Sequence, residues 1–438
     1  MKKNLTIFWF RRDLRLEDNA GLYRSLSQST NVLPIFIFDK NILDELEAKD
    51  DARVEFIYNT VIDLHESLKN LGSGLKVYYD KPPQAFIHLL KEYDVTSVYT
   101  NTDYEPYGTK RDNEIAELLA QENITFHTYK DQVIFEKDEI LKDDGTPYKV
   151  FTPYSRTWKA KLNDYFAKSY PVEEYFQNFF KYESEDIIGL KEMSFEPSAI
   201  KIPSCKVDET LLDTYGKERD YPALESTSRL GIHLRFGTIS IRKLLQAALR
   251  HSETFVNELI WRDFYQCILW HYPKLGNGVS FKEQYDLIKW EENDKHFKAW
   301  CEGTTGYPLV DAGMRQLNAT GFMHNRVRMV TASFLTKHLL INWRLGEAYF
   351  AEKLLDFDFA ANNGGWQWCS GSGVDGAPYF RVFNPTLQAK KFDSKNEYIK
   401  KWVPEFGTFN YPQPIVNHEM ARKRCLDRYK EALDQDKN

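Results

Sequence analysis

The chain is poor in the residues that build metal and disulfide frameworks. Its 438 residues include five cysteines, at 205, 267, 301, 369 and 425, with no CxxC pair and no Cys/His spacing of a zinc or iron–sulfur site. An odd, scattered set of thiols excludes a disulfide scaffold and suits a reducing compartment, so a cytoplasmic protein without a structural metal is expected. Long apolar runs are also missing. The opening MKKNLTIFWFRRDLR is too short in apolar residues to span a membrane, and it ends in arginines rather than a cleavage site, so no membrane partner is expected. No glycine-rich phosphate loop follows that first apolar run, which excludes ordinary dinucleotide binding there. Repeats, heptads and low-complexity tracts are absent, and so is a global excess of positive charge, the formal net charge being −6.

Aromatic residues are abundant, with 10 Trp, 26 Tyr and 29 Phe. They make either a large aromatic core or stacking surfaces for planar ligands and bases. Charge is unevenly spread. Residues 1–200 hold 25 Lys and Arg against 35 Asp and Glu, whereas 201–438 hold 33 against 29. Between Asp311 and Glu347 there is no acid, but Arg315, Arg326, Arg328, Lys337 and Arg344 fall there. A solvated basic helix face explains this, and so does a polyanionic partner.

The order of patterns predicts two architectures. Apolar runs at 5–10, 32–39, 75–80, 97–101 and 124–130 alternate with helical segments at 52–71, 83–92 and 109–121. That alternation predicts a doubly wound, Rossmann-like parallel α/β domain over 1–130. Residues 131–206 read as an interdomain connector, with 143–158 extended along the protein. From 207 to 438 the pattern is helical only, with helices expected at 240–250, 253–271, 308–318, 322–341, 345–355 and 418–435.

Several stretches carry chemistry. DFDFAANNGGWQW at 356–368 joins two acids, paired Asn and Gly residues and two tryptophans, a mix that packing alone does not require. Thr227, Ser228 and Arg229 precede a helix-like segment, as in a pyrophosphate site or a plain cap. NELIWRDFY places Glu258, Trp261, Arg262 and Tyr265 on one helical face, and MHNRVRM does the same for Asn325, Arg328 and Met329. Trp290 and Trp343, taken singly, read as core. GSGVDG at 371–376 matches GxGxxG but follows a Trp-rich segment rather than a strand, so it reads as a flexible loop.

Together, WFRRDLRLEDN, TSRL, NELIWRDFY, TGYPLVDAGMRQL, MHNRVRM and DFDFAANNGGWQW with APYFRVFNP resemble the cryptochrome/photolyase family over nearly the whole chain. Within it, the sequence is most similar to the class I cyclobutane pyrimidine dimer photolyases of bacteria. The resemblance implies an α/β antenna domain, a connector and an all-helical FAD-binding domain, in a monomer that acts on ultraviolet-damaged DNA. It implies FAD contacts from Tyr215, Thr227, Ser228, Arg229, Leu230, Gly231, Arg262, Asn325, Arg328, Asp356 and Asp358, with Asn362 facing flavin N5 and Arg328 paired with Asp356. It implies catalytic roles for Glu258, Asn325, Met329 and Asn362, and lesion or phosphate contacts from Glu258, Trp261, Asn325, Arg326, Met329, Trp368 and Arg381. Trp366, Trp343 and Trp290 match a photoreduction chain. Light-driven repair of pyrimidine dimers by electron transfer is the implied reaction, with a blue-light receptor or a (6-4) photolyase as alternatives. Asn362, Met329 and the lack of a long C-terminal extension favour dimer repair. Gly231 stands where the family has Ser, which preserves a backbone contact and removes a hydroxyl. Phe322 stands where many relatives have Trp. Tyr107 and Gly108 occupy the positions of the folate-binding Asn-Glu pair, so a deazaflavin or a second flavin is favoured over folate as an additional chromophore, with an empty antenna site the remaining alternative.

Overall fold

The computed structural model describes residues 4–435, which leaves out Lys2 and Lys3 at the basic start of the chain. By contacts the chain forms two compact units. The first comprises 1–136, 161–207 and 229–247; the second comprises 137–160, 208–228 and 248–438. This division is interleaved along the chain, whereas the sequence pattern suggests three consecutive segments.

In the first unit, β1 (Asn4–Phe10), β2 (Val32–Asp39), β3 (Lys76–Asp80), β4 (Asp94–Asn101) and β5 (Thr125–Tyr129) form one parallel sheet in the order β3-β2-β1-β4-β5. Every residue of β2 is buried, as expected for a strand covered on both faces. Period-two alternation divides β1 and β2 between two cores. Phe8, Phe10, Phe36 and Phe38 enter one, and Ile7, Trp9, Ile35 and Ile37 enter the other. Strand order reverses between β1 and β4, whose carboxyl ends therefore border a switch-point crevice. Part of the connector belongs to this unit for a packing reason. Val172, Phe179, Met193 and Phe195 complete one core, and Phe180 N–H donates to the Val32 carbonyl at 2.8 Å.

The second unit is helical. Helix Glu253–His271 packs on Glu209–Glu218 and on Phe359–Ser370, and Asn325–Ser333 and Trp343–Lys353 also pack on Phe359–Ser370. Two expectations need correction. Residues 151–158 are not extended: Phe151–Lys161 is a helix. Pro153 lies in its first turn, where no N–H is missed, and Tyr154 and Trp158 bury one stripe. The helix expected over 322–341 begins only at Asn325, because the His324 ring caps it by accepting from Arg326 N–H at 3.1 Å. It then widens into a π turn at Phe334–His338. Among the described residues no helix is long and apolar enough to cross a membrane.

Candidate active site

Helix Phe359–Ser370 is the centre of the second unit. Its N-cap is Asp358, whose carboxylate accepts from Ala361 N–H at 3.2 Å and from Gln266 Nε2 at 3.2 Å to both oxygens. One side of the helix is buried through Ala360, Asn363, Trp366 and Gln367. Asn362, Gly365 and Trp368 remain accessible on another. A Cβ added at Gly365 would meet nothing within 4 Å, whereas one at Gly364 would strike the Tyr265 ring at 2.3 Å. The strip beside Gly365 is therefore open space, bounded along the helix by Asn362 and Trp368.

The polar groups near this strip are held in place. Asn362 Nδ2 donates to Glu347, to its carbonyl at 3.1 Å and to Oε1 at 2.9 Å. Burial pushes the Glu347 carboxyl up, against the lowering effect of that hydrogen bond. Arg328 Nη2 donates to both oxygens of Asp356 at 3.1 and 2.9 Å, so the pairing implied by the resemblance is present. Arg328 Nε is fixed separately on the Met323 carbonyl at 2.7 Å. On the same helix as Arg328, Asn325 is exposed and Met329 half-buried.

Trp366 points the other way, into the core. It packs edge-on against Phe350 at 5.0 Å and Trp300 at 6.0 Å, and a Cβ at Gly346 would meet its ring at 2.1 Å. Only glycine at 346 leaves room for this indole. Trp343 is buried in the same cluster, and Trp290 packs on it while partly exposed. The three indoles thus belong to one apolar cluster whose last member reaches solvent.

Glu258 and Trp261, on helix Glu253–His271, line an open cavity of about 500 Å3. Glu258 is ion-paired with Arg219. Arg156 and Lys159 line the same cavity and make it cationic. Arg326 pairs with Asp220 at 2.8 Å and lies 4.4 Å from the Phe392 ring centroid. Arg381 is exposed on the loop after helix Phe359–Ser370, and its carbonyl accepts from Lys337 Nζ at 2.8 Å. Tyr215 is buried, and burial pushes its phenol well up. Thr227 and Ser228 are half-buried and belong to the second unit; Arg229, Leu230 and Gly231 belong to the first. Arg229 adopts a left-handed φ of 51°, an uncommon conformation for a side-chain-bearing residue and a mark of local constraint.

These residues suit a flavin. An open strip on a helix, an Arg–carboxylate pair and a fixed amide match a planar ring system with a polar edge. Gln266 Oε1 is buried without a partner, so this polar wall has capacity to spare. Sequence patterns did not reveal Gln266, Glu347, Arg219 or Phe151. Each acts through a partner distant in the chain, and only spacing within one helix is visible locally. Arg219 alone left a trace, as a cation in the ERDYP stretch before TSRL.

Comparisons with known proteins agree with this geometry. Residues 6–173 match the family described as DNA photolyase, and residues 255–410 match the FAD binding domain of DNA photolyase. A deoxyribodipyrimidine photo-lyase of Synechococcus sp. is 37% identical over 95% of both chains, and that of Escherichia coli is 35% identical over 97% of this chain and 98% of its own. Among solved structures, a class III photolyase from Agrobacterium tumefaciens superposes with a TM-score of 0.87 at 32% identity, covering 99% of this chain and 98% of its own. An archaeal photolyase from Sulfolobus tokodaii with two FAD molecules superposes with a TM-score of 0.83 at 35% identity, covering 98% of this chain and 100% of its own. By its parallel sheet, its helical FAD-binding domain and these full-length matches, the chain belongs to the photolyase/cryptochrome family.

Proposed function

We infer that this protein repairs cyclobutane pyrimidine dimers in DNA under blue light. The observation that carries the reading is the open strip at Gly365, with the Arg328–Asp356 pair and the Glu258–Trp261 cavity on two helices packed against the same helix. The residues gathered here would hold FAD, which, when bound, reduced and excited, would supply the one-electron chemistry that parts the two ring bonds of a dimer.

The chain's own groups bind and orient. Asp356, Asp358, Arg328 and Arg262, with Tyr215, Thr227 and Ser228, hold the cofactor. Asn362, its amide set by Glu347, presents one orientation to the ring. Glu258 and Arg219 place a carboxyl group and a guanidinium beside Trp261, where the carbonyl edge of a flipped dimer requires polar partners. Trp261, Trp368 and Met329 supply apolar walls, and Asn325 a polar contact to both flavin and lesion. A lesion leaves the duplex more cheaply than an intact pair, and that difference contributes to selectivity. Arg326, Arg381 and the cationic rim of the cavity contact phosphates, which makes binding salt-sensitive. Trp366, Trp343 and Trp290 relay electrons from the surface to restore the reduced cofactor.

The test uses purified, chemically reduced protein and ultraviolet-irradiated DNA. Dimers disappear under blue light and persist in the dark. Absence of light-dependent loss overturns the reading, and repair confined to (6-4) photoproducts reassigns the substrate.

A further inference from the structure

Trp261 walls the lesion cavity, yet its ring is already stacked. Phe151 lies on it with centroids 3.7 Å apart and 2° between the planes. A coplanar ring at van der Waals distance covers the area that a stacked pyrimidine would use. Phe151 also borders the cavity of about 500 Å3, together with Glu258, Arg219, Arg156 and Lys159, so free space opens at the edge of the stack.

The placement of Phe151 is anchored rather than incidental. It is the first residue of helix Phe151–Lys161, and its backbone N–H donates to Asp375 Oδ2 at 3.2 Å. Asp375 lies in GSGVDG, the loop left over by the cofactor reading, and holds a left-handed φ of 48°. The edge of Phe151 rests against Phe264 at 5.9 Å and 77°. The ring is held by its stack on Trp261 and its edge contact with Phe264, and it stands at the start of its helix, where a terminal turn opens more readily than the interior.

We propose that Phe151 is a specificity-determining residue of the lesion site: it stands in for a pyrimidine on Trp261 while DNA is absent, yields to the dimer, and returns to displace the repaired bases. The proposal rests on the function inferred above. An aromatic pair is worth only a modest amount beyond its buried area, so a ligand that buries more of the Trp261 face displaces Phe151. A cyclobutane dimer is saturated at C5 and C6 of both rings, so it covers the Trp261 face by contact area rather than by base stacking, and its two fixed rings bury more of that face than one phenyl ring. Once the rings separate, each base regains its stacking in the duplex, and Phe151 again becomes the better partner for Trp261. DNA bound only through its phosphates does not use Trp261 and is unaffected. Phe151 forms and breaks no covalent bond in this cycle.

The experiment uses the full-length, flavin-loaded protein and the substitutions Phe151→Ala and Phe151→Leu. Equilibrium binding is measured in the dark with a dimer-containing oligonucleotide and with its undamaged counterpart. Dimer affinity should rise roughly two- to tenfold when the competing ring is removed, with binding of undamaged DNA unchanged. Turnover under saturating light should fall together with KM, because release of repaired DNA is slowed. A lower or unchanged dimer affinity overturns the proposal, since Phe151 would then be a wall contact or a spectator. Loss of structure does not tighten binding, so the expected direction is diagnostic. If Phe151→Ala does not fold, Phe151→Leu keeps the contact with Phe264, and Asp375→Asn loosens the anchor without touching the ring; either decides the matter in the same assay. Wild-type protein that does not prefer the dimer overturns the inferred function itself. A wild-type preference that the variants leave unaltered overturns only the role of Phe151.

Discussion

At the carboxyl ends of β1 and β4, charged side chains satisfy one another. Arg11 donates to Asp112 and to the Asn101 carbonyl, Arg12 pairs with Asp103 at 3.3 Å and Glu105 at 3.0 Å, and Arg111 reaches Asp112 at 3.1 Å. Burial alone would push the Asp103 carboxyl up, but the guanidiniums of Arg12 and Arg111 outweigh it and hold it well below the usual carboxylate range. The space left among these residues is about 10 Å3, no more than one water occupies. Around helix Phe359–Ser370 the ledger stays open. Gln266 Oε1 and Trp366 Nε1 are buried without partners, and a cavity of about 500 Å3 adjoins Glu258. Both regions are polar and lined with arginine and carboxylate. One leaves no room for a ligand and the other does. A second ring system at the switch point would have to displace ion pairs, whereas an added Cβ at Gly365 meets no atom within 4 Å.

The difference predicts where each substitution will register: as lost stability in the first unit, as lost ligand or lost electron supply in the second. The largest effect should come from Arg242→Met. Arg242 binds Asp18 at 2.9 Å and Asp131 at 2.7 Å, and all three are buried. Burial works against ionised Asp131, yet Arg15 and Arg242 hold it at about 2. Removing one cation strands charge and should cost roughly 3–5 kcal/mol in denaturant unfolding. The flavin bound per folded molecule should stay the same, and a drop in that ratio would break the comparison.

Acid should act next, through the helical unit. Burial lowers His338 to about 3, helped by His418 and Lys337, and lowers His324 to about 4. Both stay neutral in the folded state while the unfolded chain takes up protons below about 6.5. Their contribution is complete above that pH and is lost as pH falls toward 4 and then 3, at up to about 1.4 kcal/mol per pH unit for each ring. Unfolding free energies across this window should slope accordingly, and His338→Asn should flatten the slope. An unchanged slope would mean that these rings titrate alike in both states.

Trp366→Phe should cost less, about 1–2 kcal/mol for the smaller ring. Photoreduction of the bound flavin should disappear, while dimer repair by chemically reduced protein persists. If that repair also vanished, Trp366 would belong to the lesion pocket instead of the electron supply. Arg328→Met should be the mildest for stability, below about 1 kcal/mol, because its pair with Asp356 is partly exposed. Its consequence should appear in flavin retention, roughly tenfold weaker by equilibrium dialysis. Equal loss of stability and flavin would blur the distinction between the two regions.

Local pattern revealed the five strands because apolar runs of alternating facing are a short-range signal. Helix Glu253–His271 was equally plain. Helix Phe151–Lys161 was hidden by Gly145, Pro147 and Pro153, which read as a connector, and its start is capped by Asp375, more than two hundred residues away. The π turn at Phe334–His338 has no local signature either. Its widening is tied to tertiary bonds, such as Lys337 to the Arg381 carbonyl and His338 Nε2 to His418 Nδ1 at 2.8 Å.

The sequence alone determined the class of each unit, the placing of Asp356, Asp358, Asn362 and Trp368 within one segment, and the pairing of Arg328 with Asp356 through the family motifs that contain them. These follow from spacing within one turn or one strand, or from motifs kept in series. Only the tertiary structure decided that Gly365 faces open space, that Glu347 sets Asn362, that Arg219 meets Glu258, and that Phe151 covers Trp261. Each of these is a contact between elements far apart in the chain, set by how helices pack, and side-chain packing has no period for a sequence to display.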